Sequence, residues 1–494
     1  MTATAEPQRS KAFLEVLAGV GSLGLAVAAA LLGASSAIAQ APTGPEKTWP
    51  IPESAVHRAE EFQVNGLPLQ RKPYDLMALV DLAERESPKT REAWEAARAA
   101  AAGIGLAESA YLPQISLQAI GGLQHTPLPI PKNLVPEGYF VSDTREIIPA
   151  VAVKWLLFDF GRRDAQLQAA RADAFVANVV FTGAHQKLIF EVSQAYFALG
   201  GARGKLHAAQ KAWSTALTTQ DAAIAKQDHG LATVVAVAQA QRQSAQMHYA
   251  LAAAEGAERN AYANLIAALG VPAATQIDVV DSAELPLPPA PVGSVSNAIT
   301  QALAHRPDII AALGQVDVAE AALKGERRSY YPVIELAGQA FQNIGSLNSD
   351  GGPYSHLDRP GQSAFLSFSV PLYDGGTRRN RISIANAKAG VAQEQLAAAR
   401  DAASQQVVRA YNGLLTSLAE YNAATAVSQA AHTAYDAALR SYQQGVGTYT
   451  DLATEENAVV QGETQVEDAR ANAHTAAAAL ALSMGAIDVV AVEP

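Results

Sequence analysis

The chain has 494 residues, of which 49% are hydrophobic but only 6% aromatic and 17% charged, and its formal net charge is −11. Much of the apolar content is alanine, in runs such as Ala99–Ala102 and Ala476–Ala479, which favours long, closely packed helices. The negative charge argues against a surface that binds the phosphates of nucleic acid. The lack of cysteine excludes disulfides, thiolate metal sites and an N-terminal lipidated cysteine.

The N-terminus has the pattern of a secretory signal peptide. Arg9 and Lys11 precede an apolar stretch that ends at Leu32, and Ala37-Ile38-Ala39 supplies an A-x-A site. This pattern predicts removal of residues 1–39 by cleavage after Ala39. A retained membrane anchor is the alternative, because the stretch is nearly long enough to span a bilayer. No later segment has that length without charges, so we expect a mature chain that crosses a membrane only with strands.

Two tandem repeats follow an extended segment at 40–73. Five landmarks recur in the same order, 215 to 219 residues further on, which indicates a duplication. The pairs are Pro88 and Pro307, Tyr111–Leu117 and Tyr330–Leu336, Gly161 and Gly376, Gly230–Thr233 and Gly447–Thr450, and Gly270 and Gly485. We assign the repeats to 74–275 and 296–486, a proline-rich linker to 276–295 and a C-terminal tail to 487–494.

Each repeat opens with a predicted helix and continues with two predicted strands. The helices are expected at Tyr74–Ser109 and Val295–Arg328 and end before a proline. The strands are expected at Gln114–Gln124 and Ile147–Phe158 in the first repeat, and from Ile334 and from Ser363 in the second. The segments between them, Thr126–Thr144 and Gly345–Gly361, are rich in Pro, Gly, Asn or Asp, so we expect solvent-exposed loops there.

The last of these strands alternates most clearly. Leu366, Phe368, Val370 and Leu372 fall on one face and Ser363, Ser367 and Ser369 on the other. Strands of about ten residues with one apolar face can cross a bilayer at a tilt. Four strands cannot close by themselves, and an open edge in lipid leaves backbone groups unsatisfied, so the pattern predicts an oligomer. A soluble β-sandwich with one buried face is the alternative that the strands alone allow.

The helices after the strands favour the membrane interpretation. Asp159 and Asp374 are expected to be N-caps, each with a glycine behind it. No proline interrupts 161–227 or 376–444, so each span predicts a helix on the order of 100 Å long. A second helix returns from each glycine-containing turn, at Val234–Leu269 and Leu452–Met484, which predicts antiparallel hairpins. Such length suits a duct that crosses a wide compartment.

These paired junctions and helix turns resemble the TolC-type outer membrane factor family over nearly the whole mature chain. The most specific segments are 303–309, 370–376 and 440–452. The resemblance implies a mixed, mainly α-helical fold, in which long antiparallel hairpins form a tunnel. It also implies a homotrimer whose protomers each give four strands to a shared twelve-stranded β-barrel in the outer-membrane lipid of a Gram-negative bacterium. A periplasmic adaptor and an inner-membrane pump are the implied partners.

The resemblance also assigns candidate site residues. The hairpin tips that would dock the adaptor are Gly230, Leu231, Thr233, Val446, Gly447 and Thr448, although glycine also simply ends helices. The candidates for a periplasmic gate are Arg440, Tyr449, Asp451 and Glu455, for which a solvated helix face is the alternative. At the repeat offset Asp451 corresponds to Val234 and Glu455 to Ala238, so an acidic gate is expected from the second repeat alone. The strand–helix junctions are marked by Asp159, Gly161, Asp374 and Gly376.

No arrangement of residues indicates catalysis. The ten histidines are dispersed without metal-ligand spacing, and Gly103-Ile104-Gly105 lacks the context of a dinucleotide loop. We therefore expect no enzyme activity, no metal and no cofactor. The expected function is the outer-membrane exit duct of an efflux system, with protein secretion by a one-step (type I) system as the alternative. A periplasmic adaptor and a structural coiled-coil protein are the alternatives from other classes, and the transported substrate is not specified by the sequence.

Overall fold

A computed structural model describes residues 73–133 and 136–487. The predicted signal peptide with Ala39, nearly all of the extended segment and nearly all of the C-terminal tail lie outside this range. The first repeat contains α1 (Leu76–Glu86), α2 (Pro88–Ser109), β1 (Gln114–Pro129), β2 (Tyr139–Phe158), α3 (Arg162–Asp228) and α4 (Val234–Leu269). The second contains α5 (Val295–His305), α6 (Pro307–Arg328), β3 (Val333–Ser349), β4 (Ser355–Ser369), α7 (Thr377–Gln443) and α8 (Tyr449–Ser483).

The two long helices of the prediction are present. Helices α3 and α7 have 67 residues each, and 1.5 Å per residue makes each about 100 Å long. Helix α4 packs against α3, and α8 packs against α7. Small residues allow close approach between helices: a Cβ built on Gly201 of α3 would lie 3.0 Å from Ala471 Cβ of α8, and one on Gly462 of α8 would lie 2.9 Å from Ser428 Cα of α7. The predicted mainly α-helical fold is confirmed.

The opening helix of each repeat is broken, which corrects the prediction of one continuous stretch. Ser87 and Arg306 have extended backbones, with ψ of 123° and 127°, and Pro88 and Pro307 begin the next helix. The ring of a proline disfavours the helical conformation of the residue before it, while proline itself fits the first turn. Each proline therefore starts a helix.

Segment 303–309, one of those that resemble the TolC-type family, contains the break at Pro307. The guanidinium of Arg306 is buried and makes two hydrogen bonds to Asp308, of 2.6 and 3.0 Å. It also donates to the Gln406 side chain at 2.7 Å and to the Ser483 carbonyl at 3.0 Å. One side chain thus ties the start of α6 to the middle of α7 and to the end of α8.

The four strands form one antiparallel sheet in the order β1-β2-β3-β4. The strands are longer than predicted, so the expected loops 126–144 and 345–361 shorten to residues 130–138 and 350–354. Proline does not prevent this, because Pro127, Pro129 and Pro360 lie on β1 and β4, which are edge strands within this chain. In the other direction, Val370 and Leu372 lie beyond the end of β4.

The strand register collects the apolar side chains on one face. Pairing places Leu117 beside Val151 and Ile115 beside Val153, and carries the same face across to Leu336 and Leu366. The opposite face carries Ser116, Gln339, Glu335 and Ser367. Leu117 is 81% exposed and Leu366 is 68% exposed, so the chain itself leaves the apolar face uncovered. In the described part of the chain, no helix is both long and apolar enough to cross a membrane.

The largest hydrophobic core lies at the base of the first hairpin, around the middle of α3 and the C-terminal end of α4. It joins α1, α3, α4 and the segment between the repeats, and its most buried large side chains are Leu76, Leu79, Val192, Phe197, Leu265 and Leu269. The hairpins extend from this core to their tips with mainly alanine at the helix contacts. The core therefore fixes the hairpins at their base, and the tips depend on smaller clusters.

Candidate functional site

The first hairpin tip joins α3 to α4. Gly230 has a left-handed backbone, with φ of +75°, and its amide donates to the Gln227 carbonyl at 2.8 Å. The Leu231 amide donates to the Lys226 carbonyl at 2.7 Å, which satisfies a free carbonyl at the helix end. Thr233 then caps α4 by accepting a hydrogen bond from the Ala236 amide at 3.2 Å. The Leu231 side chain is left 77% exposed.

The second tip repeats this backbone and adds a carboxylate. Gly445 has φ of +78°, and the amides of Val446 and Gly447 donate to the Ser441 carbonyl at 3.0 and 3.1 Å. The Thr448 Oγ1 accepts from the Asp451 amide, and an Asp451 carboxylate oxygen accepts from the Thr448 amide, each at 3.2 Å. This reciprocal pair is a capping box. Val446 is 80% exposed.

The tips align differently from the sequence prediction. The left-handed glycines pair Gly230 with Gly445, and the capping threonines pair Thr233 with Thr448. Asp451 therefore matches Ala236, not Val234, and Glu455 matches Ala240, not Ala238. The shift of two positions arose because both Gly445 and Gly447 could be aligned with Gly230. The second repeat still supplies both acids alone.

The predicted gate residues have defined places in this protomer. The Arg440 side chain donates to the Asp436 carbonyl of its own helix at 3.0 Å. Hydrogen bonds from Thr448 hold the pKa of the Asp451 carboxyl below its usual value, because they favour its charged form. Tyr449 is only 5% exposed, while Glu455 is half-buried without a hydrogen bond among the described residues. Their gating role stays a prediction.

Tyr449 joins the two tips. Its ring packs with Ala223 of α3, with Val237 and Ala240 of α4, and with Ala453 of its own helix. Tyr442 lies edge-on to it with ring centroids 6.0 Å apart. The Lys226 ammonium lies 4.0 Å from the centre of the Tyr442 ring and donates to the Tyr442 carbonyl at 3.2 Å. The tips are therefore held together by an aromatic and cationic cluster.

Glu456, two helical turns beyond the capping box, is a buried acid that the sequence analysis did not assign. It is 4% exposed, and its Oε1 has no hydrogen-bond partner among the residues that the structure describes. Burial raises the pKa of its carboxyl to about 7, because desolvation penalises the charged form. Tyr449, Leu452, Ala453 and Glu456 follow helical spacing on one side of α8, and all four are buried. That periodicity is the sequence signal that could have identified Glu456.

A cavity of about 220 Å³, lined by both charged and apolar side chains, adjoins Glu456. Glu463 lines this cavity, and its Oε1 lies 3.2 Å from the Lys211 ammonium and 3.1 Å from the His432 Nε2. Burial, with the Glu456 charge adding to it, raises the pKa of the Tyr435 hydroxyl that also lines this space. The described residues include no cluster of His, Cys, Asp or Glu arranged to hold a metal ion.

A second buried titratable group lies further along α8. His474 is 3% exposed and stacks on Phe197 with ring centroids 4.6 Å apart. Burial, together with the charge of Arg470, lowers the pKa of His474 to about 4. The imidazole is therefore neutral near pH 7.

The strand–helix junctions are built alike in the two repeats. Gly161 and Gly376 are the N-cap residues, with φ of 89° and 87°, which corrects the prediction that Asp159 and Asp374 are the caps. The Asp159 carboxylate nevertheless receives the amides of Gly161 and Arg163, at 3.3 and 2.8 Å. Asp374 receives the corresponding amides of Gly376 and Arg378, at 3.1 and 3.0 Å.

A buried arginine completes each junction. Arg163 is 6% exposed, and its guanidinium donates to the carbonyls of Ala110, Leu156 and Leu157 at 2.6 to 3.0 Å. It also lies 4.5 Å from the centre of the Tyr111 ring. Arg378 repeats the arrangement over the Tyr330 ring at 4.7 Å and donates to the Pro371 carbonyl. The hydrogen bond from Arg378 holds the pKa of Asp374 below its usual value.

Comparison with known proteins matches both repeats to one family. The model of the outer membrane efflux protein family matches residues 79–271 and 298–486. Protein CyaE of Bordetella pertussis is 28% identical over 410 residues, which cover 83% of this chain and 80% of that protein. Outer membrane protein OprJ of Pseudomonas aeruginosa is 24% identical over 385 residues, or 76% of each chain.

The fold agrees with solved outer-membrane channels. The CmeC outer membrane channel of Campylobacter jejuni superimposes with a TM-score of 0.68 at 17% identity, covering 92% of this chain and 96% of that one. Two matched repeats, one four-stranded sheet with an uncovered apolar face and two helical hairpins about 100 Å long describe such a channel. The chain therefore belongs to the outer membrane efflux protein family, lies in the outer membrane, extends into the periplasm and serves as an exit duct of an efflux system.

Proposed function

We propose that three copies of this chain form a passive duct, which receives its cargo from an inner-membrane pump through a periplasmic adaptor. The observation that carries the assembly is the sheet. Strands β1 and β4 lack a second partner strand within the described chain, and unpaired backbone groups are costly in lipid. Pairing β1 of one copy with β4 of the next satisfies them and closes a shared twelve-stranded barrel.

Cross-linking tests this assembly, because every thiol in the cysteine-free chain is an introduced one. The double variant carries Ser116→Cys on β1 and Ser367→Cys on β4. With a bismaleimide reagent, it is expected to give covalently linked products of two and three copies and none larger. Ala152→Cys with Gln339→Cys is the matched control, because these residues are already paired across β2 and β3. If the largest cross-linked product of the first pair contains two copies, or if no product forms, the trimer is contradicted.

The tips are the proposed adaptor site. Leu231 and Val446 are exposed apolar residues on tight turns at equivalent positions, and exposed apolar side chains held by rigid backbone suit protein contacts. We expect photo-cross-linkers placed at Leu231 and Val446 to capture a periplasmic adaptor in cells, while one at Tyr249, exposed on the side of α4, captures much less. Equal capture at all three positions would contradict docking at the tips.

The duct is proposed to have no catalytic step. Support comes from the buried groups with shifted pKa values, Glu456 and His474: among the described residues neither is hydrogen-bonded to a hydroxyl, and no group of side chains is arranged to hold a metal. Purified protein in a planar bilayer should conduct ions without any added energy source. A protein exporter recovered with the adaptor in place of a small-molecule pump would assign secretion instead.

A further inference from the structure

A groove of about 730 Å³ runs between α6 and α7, close to the start of β3. Three cations and one carboxylate line it, namely Lys324, Arg327, Arg328 and Glu320. Tyr331, two residues before β3, lines the end nearest the sheet and is 44% exposed. The groove therefore combines positively charged side chains with an aromatic ring at the end nearest the sheet.

The chain leaves this positive charge largely uncompensated. The Lys324 ammonium lies 3.0 Å from the Gln168 amide oxygen and 3.7 Å from an Asp164 carboxylate oxygen. The guanidinium of Arg328 lies 5.3 Å from the centre of the Tyr331 ring. Within the described residues neither Arg327 nor Arg328 has an ion pair. The Glu320 carboxylate, in the same range, accepts a single side-chain hydrogen bond, from Gln393 at 3.5 Å. Two guanidiniums are available to an outside anion.

Aromatic contacts connect the groove to the apolar face of the sheet. Phe158 pairs with Ile334, which in turn pairs with Phe368, a residue that is 67% exposed. Phe160 lies edge-on to Phe158 at 4.7 Å and stacks on Tyr331 at 5.7 Å. The groove thus opens on the same side as the exposed apolar face, at the level where the strands give way to helices.

Cations placed next to an apolar surface match the chemistry of a membrane lipid. Arginine binds phosphate through paired N–H donors, and basic residues near a bilayer surface attract anionic headgroups. Because this chain lies in the outer membrane and its helices extend into the periplasm, the junction lies at the periplasmic surface. We propose that the groove binds the phosphate headgroup of an anionic phospholipid of the periplasmic leaflet, with acyl chains against Tyr331, Phe160 and Phe158.

The chain offers a matched control on the same two helices. A second groove of about 550 Å³ between α6 and α7 is lined by Val318, Ala322, Glu326, Arg381 and Lys388. At 3.6 residues per turn, these positions lie on the opposite side of each helix from those of the first groove. Arg381 and Lys388 are exposed, so neutralising them changes the net charge equally and leaves the proposed site intact.

The test compares lipid retention by three forms of the full-length protein. Wild type, Arg327→Gln/Arg328→Gln and Arg381→Gln/Lys388→Gln are purified in detergent, mixed with phosphatidylglycerol or phosphatidylcholine, and analysed by native mass spectrometry. Wild type and control are expected to retain phosphatidylglycerol in preference to phosphatidylcholine. The groove variant should retain it roughly 25-fold less, from about fivefold for each cation removed. Inorganic phosphate at millimolar concentration should not compete, because it lacks acyl chains.

Each opposing result is decisive. Equal losses in both double variants would show a general charge effect, and no preference in wild type would remove the site altogether. Competition by inorganic phosphate would make the groove a simple anion site. If the double variant does not assemble, Lys324→Gln tests the same groove with a loss of about fivefold, and Arg327→Lys/Arg328→Lys should retain the lipid. Conductance is measured on every form, so a lipid result stays separate from duct activity.

Discussion

The two hairpin tips share one backbone design and differ in what they bury. Each has a left-handed glycine, an exposed apolar residue after it and a threonine cap two positions later, in Gly230–Thr233 and in Gly445–Thr448. After the cap the tips diverge. Val234 is 71% exposed, whereas its counterpart Tyr449 is 5% exposed and fills the space between the hairpins.

The difference indicates that the turn geometry and the side-chain chemistry of the tips serve different purposes. The backbone reverses two long helices in the same way twice, so it is retained in both repeats. The acids after the cap, in contrast, are found at one tip: Asp451 and Glu456 of the second tip match Ala236 and the exposed Gln241 of the first. The buried Glu456 has no acidic counterpart at the first tip, so a change of stability with pH near 7 should come from the second hairpin.

The largest expected difference between the tips follows truncation of the residue after each cap. Tyr449→Ala should lower the local free energy of opening by about 3–5 kcal/mol, because it removes a buried ring from a packed cluster. Val234→Ala should change it by less than about 0.5 kcal/mol, because the side chain is exposed. Hydrogen exchange of tip peptides, measured by mass spectrometry, gives both values.

Tyr449→Phe serves as the control for this comparison. Within the described part of the chain the Tyr449 hydroxyl is buried without a hydrogen-bond partner, so its removal should be neutral or stabilising. A destabilisation by Tyr449→Phe as large as that by Tyr449→Ala would show that the hydroxyl, and not the ring, holds the tips together.

The second difference concerns pH. The Glu456 carboxyl has a pKa of about 7 in the folded chain, above the ordinary glutamate value of 4.5, so the folded state binds more protons than the unfolded state between these values. Stability is therefore fully present at low pH and is lost as the pH rises toward and through 7. We expect the second tip to be about 2–3 kcal/mol more stable at pH 5 than at pH 8.

Glu456→Gln should remove most of this pH dependence, since glutamine does not titrate. Exchange rates, corrected for the intrinsic effect of pH, are compared in α8 peptides and in peptides of the first tip, which lacks a buried acid at the equivalent position. A pH effect of similar size at both tips, or one that survives Glu456→Gln, would place its origin elsewhere.

The third prediction is that the tips respond alike when the shared backbone is strained. A Cβ added at Gly230 or Gly445 meets no atom within 4 Å, so the positive φ alone sets the cost of alanine there. That cost is about 1–2 kcal/mol at each site. Helix-end exchange in Gly230→Ala and Gly445→Ala should show equal losses, and a loss confined to one tip would mean that the turns are not equivalent.

Features set by local chemistry were predictable from the sequence. The bounds of α4 were predicted at both ends because Thr233 caps it and Gly270 ends it in a left-handed conformation. Helix α3 followed from Gly161 and the lack of proline in 161–227. The strand ends were less predictable, because proline is tolerated at an edge, and which strands are edges is a property of the whole sheet.

The site was predictable only in part, because burial depends on packing between hairpins. The tips themselves were visible as Gly–Thr segments. Tyr449 was predicted as a gate residue from the family resemblance and its place beside the tip, yet it contacts Ala223 and Val237, more than 200 positions away. The raised pKa of Glu456 likewise depends on burial between hairpins, which no single helix shows.

The smallest expected effect is the coupling within the capping box. Thr233→Ala and Thr448→Ala should each cost about 1 kcal/mol through loss of the cap. In the second tip, Asp451 adds a reciprocal bond, so the double-mutant cycle of Thr448→Ala and Asp451→Ala should show a coupling of about 0.5–1 kcal/mol. The first tip has Ala236 in place of the acid and offers no such pair.

The coupling also bears on the predicted gate. Because the pKa of Asp451 is held low by Thr448, its contribution is present at neutral pH and is lost as the pH falls through the lowered value. A coupling near zero in exchange measurements at pH 7 would mean that the carboxylate is not engaged by the cap and is free for the pore. A coupling of the expected size would make Asp451 a cap first, and would leave the half-buried Glu455 as the acid available to repel its counterparts around the duct.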